Sequence, residues 1–216
     1  MDGVSNGRTA ALVQPPAEIH QVIGTHSSSV VVMGQVLDHI DDRLWRFIDR
    51  QQIFFVATAP SGTGGHVNLS PKGHADTFVI LDKNRVAYLD LTGSGAETVA
   101  HLRENGRIAV MFCAFDGPPD VVRLHGLGRV LMPSDVEFAP LARRFQQRPG
   151  ARAIIVIDVE RVSTSCGFAV PLYEYVGDRD VLEKSNGRKT AEELATYHRT
   201  RNATSIDGLS ALPLPQ

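Results

Sequence analysis

Apolar residues recur along this chain with two periods, and the switches between them divide it into elements. From Asp38 to Gln51, Ile40, Leu44, Phe47 and Ile48 fall at helical spacing, with Asp38, Asp41 and Asp42 at the end that favours negative charge. Trp45 extends that stripe. Gln52–Ala59 (QIFFVATA) alternates Phe54, Val56 and Thr58 with Phe55, Ala57 and Ala59 and predicts a strand buried on both faces. After the loop Pro60–Gly65, a second strand covers Val67–Ser70 and is ended by Pro71. A third covers Thr77–Leu81 and turns at Asp82-Lys83-Asn84. Val86–Leu91 is a strand, Thr92-Gly93-Ser94-Gly95 a turn, and Glu97–Glu104 a helix that Asn105-Gly106 closes. The strands Arg107–Phe115 and Val121–Leu131 follow, joined by Asp116-Gly117-Pro118-Pro119. In the second of these, Val122, Leu124 and Val130 alternate with Arg123, His125 and Arg129, while Gly126 and Gly128 predict a bend or a close backbone approach. Ser134 and Glu137 stand as a capping box before a helix running to about Gln147, and Ala153–Val159 is the last strong strand.

Short, mostly antiparallel connections between about six strands, with helices at the flanks, predict a mainly β fold: a small barrel with peripheral helices. Residues 1–36 read as a partly flexible arm with one ordered contact at Val30-Val31-Val32-Met33, residues 37–162 as the barrel domain. Residues 163–216 read as an extension that packs on the barrel or on a second subunit through Phe168, Tyr173 and Tyr175, with a short helix at Thr190–Arg201.

Composition narrows the function classes. A chain of 216 residues, 43% hydrophobic, suits one domain with extensions and an ordinary core. A net charge of -2 and 6% aromatic residues argue against a nucleic-acid partner. No apolar run reaches the roughly 18 residues of a membrane span, and no basic-then-apolar leader opens the chain, so a cytoplasmic protein without membrane contact is expected. Cys113 lies in an apolar strand and reads as core; Cys166, in a loop-like context, is open to reactivity. Two distant cysteines make neither a disulfide framework nor a zinc site, and no metal is expected.

The turn before the Glu97–Glu104 helix has two readings. Ser94 and Glu97 have the S-x-x-E spacing of a capping box, which would make this a capped helix and nothing more. Two glycines, the Thr92 and Ser94 hydroxyls and a helix N-terminus also make a cradle for a phosphate. The spacing is neither a Walker loop nor G-x-G-x-x-G. Lys72 projects from a constrained position after Pro71, either toward a phosphate or electron-rich ring or into solvent. Nothing near His125 in sequence orients it as a base.

Taken together, FFVATA…HVNLSPKG, VAYLDLTGSGAETVAHLRENGRIAVMF and VVRLHGLGRVL resemble the pyridoxamine 5'-phosphate oxidase-like family, the FMN-binding split β-barrels, over about Asp38 to Val162. The resemblance implies a split β-barrel, a homodimer with two cofactor sites at its interface, a small-molecule substrate and FMN, with deazaflavin F420, heme or no cofactor as alternatives. It implies that Asn68, Leu69 and Ser70 lie along the flavin ring and that Lys72 borders ring and substrate. Leu91, Thr92, Ser94 and Gly95 would surround the phosphate, and Arg123 would approach ring or phosphate. The oxidase proper carries Ser-Arg-Lys at the helix start, where this chain has Ser94-Gly95-Ala96, so two charge-assisted bonds of about 1.5–3 kcal/mol each are missing. Its C-terminal Trp and Arg-x-His motif is absent too, so oxidation of pyridoxamine phosphate itself is not expected. No acid–base residue stands out; Tyr173, Tyr175 and Cys166 are candidates only through the reach of their segment.

Overall fold

The computed structural model describes residues 34–212; the expected arm contact at Val30–Met33 lies outside them. The elements are β1 (Val36–Leu37), α1 (Asp42–Asp49), β2 (Ile53–Thr58), β3 (Asn68–Gly73), β4 (Phe78–Asp82), β5 (Arg85–Leu91), α2 (Glu97–Glu104), β6 (Arg107–Cys113), β7 (Asp120–Leu131), α3 (Phe138–Ala142), β8 (Ala151–Cys166), α4 (Val181–Gly187) and α5 (Ala191–Arg201). One antiparallel sheet runs β3-β2-β6-β7-β8-β5-β4, with β1 added to β8. Among the described residues eight strands thus stand where about six were expected: each of the seven strand stretches read along the chain forms one, and β1, of two residues, leaves no periodic pattern.

The sheet curls into a half-barrel, as the side chains that meet across it show. Phe54 of β2 packs on Phe78 of β4 at 5.1 Å and on Tyr88 of β5 at 5.5 Å, and Phe78 packs on Phe112 of β6 at 5.1 Å. Val56, Val110, Leu124 and Ile155 fill the same interior. Leu44, Phe47 and Ile48 of α1 join this core at helical spacing, and Ile40 joins it from before the helix, which spans Asp42–Asp49 with Asp41 as its cap rather than Asp38–Gln51. A second, smaller cluster lies on the other face of β5 and β8, where Leu89, Ile154 and Val156 meet Phe138, Leu141 and Phe145.

Gly126 is a place where only hydrogen fits. A Cβ there would stand 1.9 Å from the carbonyl oxygen of Asp158, and the β7–β8 register shifts at this point. The predicted bend is therefore a β-bulge with close backbone approach. A Cβ on Gly128 would press on Leu102, so that glycine seats α2 against β7.

Three local expectations change. Pro71 continues β3 opposite Phe55 rather than ending it; β3 is an edge strand, where a missing N–H breaks no ladder bond. Neither proposed capping box forms. The N-cap of α2 is Ala96, with no side-chain bond, and Glu97 accepts instead from Ile206 N–H at 2.9 Å. Before α3, Glu137 pairs with Arg129 at 2.6 Å, Asp135 accepts from Met132 N–H at 2.7 Å, and the helix shortens to five residues. A capping box does form at Thr190 and Glu193, opening α5. In both lost cases the glutamate takes a partner outside its helix, Ile206 for Glu97 and Arg129 for Glu137.

Candidate functional site

Curling brings the edge strand β3 beside β5, and a cavity of about 350 Å³ opens between them and the start of α2. Its walls are Asn68, Ser70 and Lys72 from β3, Asp90 and Leu91 from β5, residues Gly93 to Thr98, and Arg152 from β8. Period-2 alternation places Asn68, Ser70 and Lys72 together, since they pair with Thr58, Val56 and Phe54, whose side chains point into the barrel.

Asp90 is 1% and Arg152 6% exposed. Arg152 Nε donates to Asp90 Oδ2 at 2.6 Å, and Lys72 Nζ donates to Asp90 Oδ1 at 3.3 Å while lying 5.9 Å over the Tyr88 ring. Burial alone would raise the Asp90 carboxyl, but Arg152 and then Lys72 outweigh it and hold it below its ordinary value. Burial, and then the Asp90 charge, push the Tyr88 phenol well above its own.

A β-bulge aims Arg152. Asp90 opposes Ala153 and Leu91 opposes Ala151, leaving Arg152 as the extra residue. Without the bulge, period 2 would put Arg152 on the face of Ile154 and Val156, in the smaller apolar cluster.

The remaining polar wall is fixed by hydrogen bonds. Asn68 Nδ2 donates to Thr58 Oγ1 (3.3 Å) and Thr98 Oγ1 (3.1 Å), and Ser70 Oγ donates to Asn68 Oδ1 (3.0 Å). Ser94 is exposed at the mouth.

Of the nine residues named from sequence, six (Asn68, Ser70, Lys72, Leu91, Ser94 and Gly95) come together on this cavity. Three do not. Leu69 alternates to the opposite face of β3 and is 64% exposed. Thr92 is buried behind the loop, its hydroxyl donating to Gly150 O at 2.8 Å. Arg123 lies on the row with Met111 and Ser163, its Nη1 donating to Ser165 Oγ at 2.9 Å. Asp90 and Arg152 were missed. The available signal was a single charge in each of two otherwise apolar stretches, VAYLDL and ARAIIVI, because a buried charge calls for a partner of opposite sign. Cys113 is buried and Cys166 exposed at the end of β8.

Since the Thr92 hydroxyl donates to Gly150 O, it accepts from His198 Nε2 at 2.8 Å. Burial, and then the Arg152 charge, lower the His198 pKa below its ordinary 6.5. The native state therefore prefers the neutral ring. The unfolded chain takes up this proton near pH 6.5 and the native one only further down, so the contribution to stability is complete above 6.5 and falls as pH drops toward the native value. Urea midpoints at pH 7.5 and 5.5 should differ less in His198→Gln than in the parent chain; an equal difference would assign the acid sensitivity to another group.

Fold and pocket together define a split-barrel protein with a polar cavity carrying two cations at a helix N-terminus. The chain belongs to the pyridoxamine 5'-phosphate oxidase family, whose model matches residues 40–166. It is 41% identical over 191 residues to the pyridoxamine 5'-phosphate oxidase family protein ustO of Aspergillus flavus, covering 81% of this chain and 76% of that one. Among solved structures it is similar to a HupZ variant of Group A Streptococcus (TM-score 0.47, 21% identity, 58% of this chain and 98% of that one). It is also similar to the FAD binding protein of Mycobacterium smegmatis (TM-score 0.43, 14% identity, 59% and 96%). Among the described residues, no helix is long and apolar enough to cross a membrane.

Proposed function

We propose that this chain holds FMN by its phosphate in the cavity between β3 and α2 and serves as a flavin-dependent oxidoreductase on a small molecule. The observation that carries this reading is the meeting of Lys72 and Arg152 with the glycine-bearing loop at the start of α2. Arg152 answers the missing Ser-Arg-Lys run: a cation absent from the loop arrives from β8 instead. Three of the five guanidinium N–H groups serve Asp90, Asn202 and Gly95, which leaves two for an anion. A Cβ on Gly93 would meet nothing nearer than 3.9 Å, so the loop's backbone is open to close approach. When bound, a flavin accepts and returns a hydride; the protein contributes binding, orientation and charge.

At about 350 Å³ the cavity is at the small end of ligand pockets, roughly 300–1,000 Å³. That suits the phosphate end of a flavin and leaves the ring to lie outside it, along β3. A second copy of the chain would supply the missing wall. Supporting this, Leu69, Phe55 and Met111 form an incompletely covered apolar face on β3, β2 and β6, and Phe168, Leu172 and Tyr175 are exposed beyond β8.

The deciding experiment is a visible absorption spectrum of the purified protein, with mass spectrometry of whatever heat releases. A flavin spectrum and the FMN mass are expected, from a species of twice the 23.5 kDa chain mass. A colourless protein that takes up none of FMN, deazaflavin F420 or heme would overturn the reading.

One observation favours a second reading, a module that holds the cofactor without turnover. The carboxylates on the cavity are engaged, Asp90 by two cations and Glu97 by Ile206 N–H, which leaves neither free for acid–base work. Rapid reduction of the bound flavin by NADH or NADPH, followed by reoxidation by an acceptor, would exclude it.

A further inference from the structure

The loop that cradles the cavity is gripped from behind by the C-terminal segment. Asn186 Nδ2 donates to the Thr92 carbonyl at 3.1 Å, and Asn202 Nδ2 to the Gly93 carbonyl at 3.1 Å. Arg152 Nη2 takes the Gly95 carbonyl at 2.9 Å, and Ile206 N–H takes the Glu97 carboxylate. Asn202 also accepts from Arg152 Nη1 at 2.9 Å, so one side chain ties the cation to the loop. It is 0% exposed, and its own N–H and carbonyl are used by His198 and Leu212. Behind it, Ala211 and Leu212 are buried in the main core, which anchors the segment.

These contacts share one electrostatic consequence. Carbonyl oxygens repel an anion and amide hydrogens attract it. Three carbonyls of the loop, those of Thr92, Gly93 and Gly95, are engaged by donors other than the ligand. The Glu97 carboxylate, which would otherwise oppose a phosphate, is held by the segment as well.

We propose that residues 186–212 form a clamp that presets the loop for an anionic group, and that Asn202 is its positioning residue, coupling Arg152 to Gly93. The inference rests on the reading that this cavity takes the phosphate of a flavin. It goes further in making the extension beyond the barrel a determinant of phosphate recognition. Asn202 needs no contact with the ligand to do this; it acts through the loop and through Arg152.

The test compares FMN with riboflavin, which has the same ring and ribityl chain and no phosphate. Both are titrated by fluorescence into the full-length protein freed of bound flavin, with inorganic phosphate as competitor against FMN. The parent chain is expected to prefer FMN and to lose it to phosphate. Asn202→Ala is expected to weaken FMN about tenfold and leave riboflavin unchanged, the size expected from unmaking about one hydrogen bond. Asn202→Asp, which keeps an acceptor for Arg152 but loses the donor to Gly93, is expected to behave the same way. Equal weakening of both flavins, or no change in either, would overturn the clamp, since general loosening or simple packing does not discriminate by phosphate. If Asn202 variants do not fold, Ile206→Pro removes the donor to Glu97 at an exposed position, with its fold checked by circular dichroism. It is then expected to lower the FMN preference, and an unaltered preference would overturn the clamp. A parent chain that binds FMN no better than riboflavin would instead sink the phosphate reading, and the clamp with it; the parent and variant titrations therefore decide the two claims separately.

Discussion

Arg152→Ala is expected to lower the free energy of unfolding by about 3–5 kcal/mol, the range for breaking one side of a buried ion pair. Asp90 and Arg152 are almost wholly buried, and their bond is 2.6 Å long. Truncation leaves Asp90 with Lys72 alone, at 3.3 Å, and releases the Asn202 side chain and the Gly95 carbonyl from their donor. The cost comes from the charge left behind rather than from the attraction lost. Replacing both partners by apolar residues, as in Asp90→Leu with Arg152→Met, should therefore recover most of the stability while abolishing anion binding. Urea unfolding of the two variants and the parent checks this. A single-variant loss under about 1 kcal/mol would mean that Lys72 suffices for Asp90 and that Arg152 belongs to the ligand rather than to the fold.

Ser94→Glu has the opposite profile, a small effect on the fold and a large one on binding. Ser94 is exposed and makes no capping bond, so little stability depends on it. A carboxylate placed about 4 Å from a bound phosphate, at an effective dielectric constant of about 20, is opposed by about 4 kcal/mol per pair of unit charges. At about 1.4 kcal/mol per decade, FMN affinity is expected to fall by two to three orders of magnitude, with the midpoint of thermal unfolding of the flavin-free protein nearly unchanged. Fluorescence titration and a thermal melt read the two quantities. Unaltered FMN affinity would place the phosphate elsewhere. A large drop in the melting midpoint would mean that the turn carries the helix after all.

Much of the barrel was legible along the chain because strand and helix periods are local properties. Helix α2 runs from Glu97 to Glu104 as its pattern implies, closed by Gly106 at φ +71. The six predicted residues that reached the cavity lie on two stretches, NLSPK and LTGSG, where alternation and turn chemistry largely decide which way a side chain faces. Leu69 stands apart from the cavity for the same reason that its neighbours line it: period 2 sends every second residue to the other face. Arg123 lies off the cavity: its strand's alternation, read correctly, does not say which face of a curled sheet lines it.

The sequence by itself determined the strands, the loop and helix that shape one wall of the cavity, and the family, since all of these follow from periodicity and from residues close together in the chain. Only the tertiary structure decided the charge of the site. Lys72, Asp90 and Arg152 stand far apart in sequence and meet through the curl of the sheet and a single bulged residue at Arg152. The same holds for Glu97, drawn from its local cap by Ile206, and for Asn202, which reaches Gly93 from more than a hundred residues away. A buried charge or amide takes whichever partner folding brings within hydrogen-bond distance, and that choice is made by packing rather than by the neighbours in the chain.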